Sequence, residues 1–141
     1  MLRALTAATI VFSIAAAGCG TAKTGAQRDP NQSHVGALAT LYYRYQAENS
    51  GYAPKNETEF RAFVATQDWI LDYAKVDTHD VLFSSEADNQ PIVMCLEKKK
   101  REINGRHMIF HEATAADGKR LVGFAGGEAD FVDDALLAAA E

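Results

Sequence analysis

The spacing of apolar residues divides the chain into a helical first half and a strand-rich second half. Over residues 33–48 apolar positions recur at helical spacing, with Ser33 as N-cap and Gly51 at the C′ position that ends the helix. The predicted stripe consists of Val35, Leu38, Leu41, Tyr42 and Tyr45. The three tyrosines of this segment (Tyr43 is the third) are expected to pack on a sheet with their hydroxyls at its rim.

A second helix is predicted from Asn56, with Glu59 three residues on as a variant of the capping box. Its buried side comprises Phe60, Phe63 and Val64. After a bend, residues 68–76 continue in helical form, and Trp69 is expected in the core or at its edge. Residues 77–90 are predicted to be a solvated connection that the apolar triplet Val81-Leu82-Phe83 holds to the body.

The remainder of the chain predicts β-structure, in strands at residues 91–97, 106–113, 119–125 and 128–132. The predicted turns are Asn104-Gly105, Asp117-Gly118 and Gly126-Gly127. A short helix over residues 135–140 closes the chain, capped by Asp133 or Asp134. The fold class is therefore α+β, with N-terminal helices on one face of an antiparallel sheet of about four strands and a short C-terminal helix.

Charge and hydrophobicity also predict which strand residues lie opposite one another. A strict two-residue hairpin at Asn104-Gly105 would pair Glu97 with Glu112, an unfavourable like-charge pair. A wider loop that brings Leu96 near Phe110 is preferred. A tight hairpin at Gly126-Gly127 predicts two apolar pairs on the face under the helices, which are Val122 opposite Phe131 and Phe124 opposite Ala129.

The first nineteen residues carry a different kind of signal. A short apolar run over residues 5–17 follows Arg3 and ends in Ala16-Ala17-Gly18-Cys19. This run is too short to span a bilayer but fits the hydrophobic region of a signal peptide. Its ending resembles the lipobox of bacterial lipoproteins, which implies cleavage before Cys19 and acylation of that cysteine. The open alternatives are a plain signal peptide and an uncleaved anchor.

This interpretation divides the chain into a signal peptide (residues 1–18), a lipidated cysteine with a flexible tether (19–32) and one α+β domain (33–141). The chain of 141 residues has a net charge of −5, and removal of residues 1–18, whose one charge is Arg3, leaves −6. An acidic domain of this size is a poor nucleic-acid binder, so no nucleic-acid partner is predicted. The predicted partners are a membrane, through the lipid, and an unknown protein.

The mature domain also resembles the pseudopilins of type II secretion systems. The resemblance is carried by residues 45–54, at the end of one helix and before the next, and by the Gly-Lys-Arg-x-Val-x-Phe-Ala-x-Gly run over residues 118–127. It implies a similar α+β architecture. Pseudopilins begin with a long apolar helix that builds their filament, whereas here a signal ending at Cys19 occupies that place. A shared fold would therefore not imply a shared assembly mechanism.

Candidate chemistry is sparse along the mature chain. Cys95 lies within an apolar run, so it is predicted to be a buried small hydrophobe, and Cys19 is the one residue assigned a modification. His107 and His111 would lie about 13 Å apart along a strand, which is too far to chelate one metal ion. No phosphate loop, paired-cysteine motif or nucleophile elbow occurs. The sequence therefore predicts no cofactor, no metal and no enzymatic activity.

Three functions remain open at this stage. The leading hypothesis is a lipid-anchored, extracytoplasmic structural or protein-binding module at the periplasmic face or outer membrane of a bacterium. The second is an accessory component of a pilus-like or secretion assembly. The third is a small cell-envelope hydrolase using His107 or His111 with Asp130. The basic run over residues 98–101, with Arg106, could touch anionic lipid, although a solvated charged strand end is preferred.

Overall fold

The computed structural model describes residues 29–96 and 101–140, and it has the predicted α+β fold. The helices are α1 (His34–Glu48), α2 (Glu57–Val64), α3 (Trp69–Ala74) and α4 (Asp134–Ala140), with 3-10 turns at Pro30–Gln32 and His79–Phe83. The strands are β1 (Val93–Met94), β2 (Arg101–Ile103), β3 (Arg106–His111), β4 (Lys119–Phe124) and β5 (Ala129–Asp133). They form one antiparallel sheet of five strands, in which β1 and β2 both pair with β3 and the path continues through β4 to β5.

The ends of α1 follow from local side-chain chemistry. The Ser33 hydroxyl oxygen accepts a hydrogen bond from the Gly36 N–H at 3.0 Å, so the predicted N-cap is confirmed. At the other end the Gly51 N–H donates to the Gln46 carbonyl at 2.7 Å, which closes a Schellman-type turn. Ser50 and Gly51 both have positive φ, at 56° and 85°. The first left-handed position is therefore Ser50, one residue before the glycine that the sequence favoured.

The start of α2 is connected to α1 by Glu59. Asn56 caps the helix by accepting from the Glu59 N–H at 2.9 Å, as predicted. The Glu59 carboxylate accepts from the Lys55 N–H and from the Tyr45 hydroxyl, both at 2.8 Å. The Lys55 bond, followed by the Tyr45 bond, holds the pKa of Glu59 below its ordinary value. The same Tyr45–Glu59 bond raises the pKa of the tyrosine.

The main core lies between α1, α2 and one face of the sheet. Phe60 is fully buried there, with its ring stacked on Phe110 at 5.5 Å and edge-on to Tyr42 and Phe83. Helix α1 can approach β4 closely because Gly123 has no side chain. A Cβ atom at Gly123 would lie 3.1 Å from the Val35 side chain. The N-terminal helices therefore cover one sheet face, as predicted.

The hairpin around Asn104-Gly105 combines two registers. A tight two-residue turn pairs Ile103 with Arg106, and both turn residues have positive φ as a type I′ turn requires. Strand β1 then pairs with β3 in a shifted register, with Met94 opposite Phe110. The prediction of Leu96 near Phe110 was thus wrong by two residues. It also missed β2, because it treated residues 101–103 as part of a wide loop.

The β4–β5 register differs from the prediction by one residue. Gly123 lies opposite Ala129 and Val122 opposite Asp130, so the predicted pairs of Val122 with Phe131 and of Phe124 with Ala129 are wrong. A two-residue type I′ turn needs positive φ at both central residues, but of the two glycines only Gly127 has it, at 91°. The Phe124 N–H donates to the Glu128 carbonyl oxygen at 2.9 Å, so the loop that this bond closes contains three residues, 125–127. In a strand, a one-residue slip reverses which side chains face the core.

As a result the sheet has apolar side chains buried on both faces. The second face carries a cluster of Cys95, Ile103, Met108, Val122, Phe124, Val132 and Leu137. Leu137 of α4 is fully buried in it, while the adjacent Leu136 is 48% exposed. The C-terminal helix thus covers part of the face opposite α1. Cys95 is buried in this cluster, as predicted.

Two connecting segments are more ordered than the sequence indicated. The turn Pro30–Gln32, expected to be the end of the tether, packs against the domain, because the Asn31 side chain accepts a hydrogen bond from the Ala129 N–H at 2.9 Å. The described body therefore begins before Ser33. In the connection over residues 77–90, Leu82 and Phe83 are buried as predicted, but Val81 is 44% exposed.

Candidate functional site

The residue assigned a modification, Cys19, lies outside the described residues, as does the whole of the predicted signal peptide. Lipidation at Cys19 therefore stays a prediction from sequence. Across residues 29–96 and 101–140, every helix is too short or too polar to span a bilayer. Among those same residues, no group of three His, Cys, Asp or Glu side chains is arranged to hold a metal ion.

A β-bulge separates the two histidines of β3. The register shifts between Met108 and Phe110, so that Ile109 is an extra residue on this strand. Met108 packs into the cluster on the second face, whereas Phe110 packs under α1. Because side chains alternate along a strand, His107 lies on the α1 face and His111 on the second face. The two rings are thus on opposite sides of the sheet.

Asp130, the predicted acid of the hydrolase hypothesis, is engaged elsewhere. Its carboxylate accepts a hydrogen bond from the Arg106 guanidinium at 3.2 Å. His111 and Asp130 both lie opposite Val122, one on each side of it, so two strand spacings separate their backbones. The His111 Nδ1 donates to the Glu112 carbonyl oxygen at 2.8 Å. This arrangement does not bring His111 and Asp130 together in a cleft.

A buried polar group that the sequence did not indicate is formed around Ser85 and Glu112. The Ser85 hydroxyl donates to the Glu112 carboxylate at 2.7 Å, and the second carboxylate oxygen accepts from the Leu121 N–H at 3.3 Å. Ser85 is 3% and Glu112 is 7% exposed. These bonds join the connection over residues 77–90 to the sheet. The arrangement satisfies buried polar groups and stabilises the fold.

A second polar contact anchors the same connection to α1. The His34 Nδ1 donates to the Ser84 carbonyl oxygen at 2.7 Å, and the His34 N–H donates to the Glu86 carboxylate at 3.1 Å. A carboxylate at the first residue of a helix also interacts favourably with the helix dipole. His34 is therefore a buried residue that positions the start of α1.

The basic run over residues 98–101 is described only at Arg101, which begins β2. Its guanidinium lies 3.9 Å from the Cys95 sulfur. The Arg106 guanidinium lies over the Phe124 ring, 3.9 Å from its centroid, and also bonds Asp130. Both described arginines are therefore engaged within the domain. Residues 98–100 lie outside the described part of the chain, so the preferred solvated strand end and the alternative lipid contact both stay untested there.

An open groove of about 290 Å³ lies between the start of α2 and β1, the strand at one end of the sheet path. Its described lining residues are Lys55, Asn56, Glu57, Met94 and Leu96. Met94 and Leu96 are half-buried and pack against the main core, while the three residues at the start of α2 are exposed. The groove thus has an apolar floor and a charged, polar rim. The groove is not visible in the sequence, because its rim and its floor are about forty positions apart.

Trp69, Tyr73 and Tyr43 form a second exposed feature. They are 38%, 42% and 57% exposed. Trp69 was expected in the core or at its edge and Tyr43 on the sheet, so both are more exposed than predicted. Tyr42 and Tyr45 are buried as expected. We call Tyr43, Trp69 and Tyr73 the aromatic face.

Comparisons of the chain with protein-family models, with curated protein sequences and with solved structures give no match.

Proposed function

We propose that this protein is a lipid-anchored, extracytoplasmic module of a bacterial cell envelope that binds another protein and has no enzymatic activity. The anchor is supported by the Ala16-Ala17-Gly18-Cys19 ending of the apolar N-terminal run. Acyl chains hold a protein to a membrane because each buried methylene contributes about 0.8 kcal/mol, and two chains give stable attachment.

The observation that carries the binding function is the groove between α2 and β1. An extended segment of a partner could lie along the edge strand and place apolar side chains against Met94 and Leu96. Val93, which precedes Met94 on β1 and points to the opposite face of the sheet, is 38% exposed. Edge strands with exposed apolar side chains are sites at which a second chain can pair. The charged rim residues Lys55 and Glu57 would set the register of such a segment.

Site-specific photo-crosslinking of the native lipoprotein in its own membrane tests this function. A crosslinking side chain at Lys55, on the groove rim, is expected to capture a discrete protein partner. The matched control is the same side chain at Lys119, an exposed residue of β4. Capture at Lys55 should also disappear in a Glu57→Trp variant that obstructs the groove. Equal capture at both positions, or capture insensitive to Glu57→Trp, would contradict a binding role for the groove.

The second candidate function, an accessory component of a pilus-like or secretion assembly, is favoured by the order of elements. A helix of fifteen residues, α1, precedes the antiparallel sheet and packs along one of its faces. That order agrees with what the pseudopilin resemblance implies. The identity of the protein crosslinked from Lys55 separates the two functions. A component of a secretion assembly would favour the second, and any other envelope protein the first.

A further inference from the structure

The three side chains of the aromatic face are exposed on helices α1 and α3. Trp69 and Tyr73 are one helical turn apart and meet edge-to-face, with ring centroids 6.1 Å apart. The Arg44 guanidinium lies 5.5 Å from the Trp69 ring centroid, which joins α1 to α3. Trp69, Tyr73 and Arg44 therefore form one continuous surface. Tyr43 precedes Arg44 on α1 and lies against the β4–β5 loop, where a Cβ at Gly127 would be 3.1 Å from the Tyr43 Cβ.

The aromatic face adjoins the point at which the chain enters the described structure. The Tyr73 hydroxyl donates to the Asn31 carbonyl oxygen at 3.1 Å, two residues after Asp29. Asp29 follows Cys19 by ten positions. Ten residues reach at most about 33–36 Å. A bilayer that holds Cys19 is thus within reach of Tyr73 and Trp69.

The chemistry of this surface suits the interfacial region of a bilayer. Tryptophan and tyrosine combine an apolar ring with a polar group and are enriched at membrane–water interfaces. Arg44, which pairs with Glu48 at 2.7 Å, can keep its charge in water while its stem covers apolar surface. Asp68 and Asp72 lie on or next to α3, so the surface is not a polybasic site for anionic lipid. Its rings, and not its charges, would make the contact.

We propose that Tyr43, Trp69 and Tyr73 rest in the headgroup region of the same bilayer that holds Cys19, and that they fix the orientation of the domain. This inference rests on the lipid anchor of the proposed function. Asn31 bonds the start of β5, at one end of the sheet path, whereas the groove lies beside β1 at the other end. Contact through the aromatic face would therefore direct the groove away from the membrane, where a partner can reach it.

Trp69 is the single tryptophan of the chain, so its fluorescence reports on this surface directly. The test uses the mature lipoprotein reconstituted in vesicles of zwitterionic phosphatidylcholine, with and without bromine on the lipid acyl chains near the headgroup. The expected result is a blue shift of Trp69 emission, quenching by the brominated lipid and protection from acrylamide. Because the contact involves rings, the three effects should persist at high salt.

A relocated tryptophan provides the matched control. In a Trp69→Phe, Thr58→Trp variant the reporter moves to an exposed position on α2, near the groove. It is expected to stay accessible to acrylamide and unquenched by brominated lipid. Equal quenching at positions 69 and 58, or no quenching at 69 in protein that carries its acyl chains, would overturn the proposed orientation.

Two further outcomes also decide the matter. Loss of the Trp69 signal at high salt would assign the contact to charged residues and contradict an aromatic one. Shielding of Trp69 in native membranes but not in vesicles would mean that a protein covers this surface. The intact mass of the same sample shows separately whether Cys19 is acylated, so a failed anchor is distinguished from a failed orientation. An unacylated Cys19 would overturn both the lipid anchor and the proposed orientation.

Discussion

The Asn31 side-chain oxygen accepts a hydrogen bond from the backbone N–H of Ala129, 2.9 Å away and 98 positions later in the chain. The same residue accepts from the Tyr73 hydroxyl through its carbonyl oxygen at 3.1 Å. Asn31 thus joins the entry of the chain to β5 and to α3. The turn that contains it also leaves little space, since a Cβ at Gly36 would lie 2.5 Å from the Asn31 carbonyl oxygen. The first residues that the structure describes are therefore fixed relative to the fold.

Replacement of Asn31 should reveal the energetic value of this connection. Asn31→Ala leaves the Ala129 N–H without its acceptor, and Ala129 is only 6% exposed. A buried donor that loses its partner costs about 1–3 kcal/mol. Asn31→Asp keeps an acceptor oxygen at the same position and should lose much less. Urea unfolding of both variants checks the prediction, and equal losses would show that the acceptor is unimportant.

Gly123 is predicted to be intolerant of any side chain. In Gly123→Ala the new Cβ would meet the Val35 side chain at 3.1 Å and the Ala39 Cβ at 3.2 Å, so α1 has to move away from the sheet. Overpacking of this kind costs about 1–3 kcal/mol.

Gly126→Ala is the control for that substitution, because the three atoms nearest to its Cβ would all belong to the movable carboxylate of Glu128. It should leave the free energy of unfolding nearly unchanged. Thermal unfolding of the two variants gives the comparison. A Gly126→Ala loss as large as that of Gly123→Ala would argue against the close approach of α1 and β4.

The second apolar face of the sheet can be tested with two adjacent leucines of α4. Leu137 is fully buried against that face and Leu136 is 48% exposed, although both lie in the same short helix. Leu137→Ala should therefore destabilise the protein by about 2–5 kcal/mol, and Leu136→Ala by far less. Equal effects in urea unfolding would mean that α4 does not pack on the sheet.

Glu59 should contribute stability that depends on pH. Its pKa is below its ordinary value in the folded protein, owing first to the Lys55 N–H bond and then to the Tyr45 hydroxyl bond. A carboxyl of this kind contributes stability that is present above its unfolded pKa, about 4.3, and is lost as the pH falls through the folded pKa. The difference in unfolding free energy between wild type and Glu59→Gln should therefore shrink on acidification.

Tyr45→Phe provides the partner control for Glu59. Removal of the hydroxyl takes away one hydrogen bond to the carboxylate. The pKa of Glu59, followed by NMR titration, should then rise part of the way toward its ordinary value. An unchanged pKa in Tyr45→Phe would mean that the tyrosine does not stabilise the ionised carboxylate.

Local features were predictable from sequence, because a few neighbouring residues determine them. The caps at Ser33 and Asn56 and the turn at Asn104-Gly105 formed where side-chain chemistry placed them. Register was less predictable, since it depends on contacts between distant segments. The bulge at Ile109 and the three-residue loop at 125–127 each changed which side chains reach the core. The buried second face could not be anticipated without that register.

The candidate surfaces were hidden for a similar reason. The groove joins Lys55 and Glu57 of the helical half to Met94 and Leu96 near β1. The aromatic face joins α1 to α3, and helical spacing alone did not show that Trp69 and Tyr73 stay exposed while Ile70 is buried. A run of aromatic and aliphatic residues on a short helix indicates apolar surface. Only the packing of α3 against α1 shows which side chains remain outside.

A lipid on Cys19 that holds this domain to a membrane would be visible in the intact mass of the mature protein purified from its native membrane. The expected protein is a chain that begins at Cys19 and carries the added mass of acyl chains on that residue. A chain that still begins at Met1, or an unmodified Cys19, would show that no lipid anchor is present.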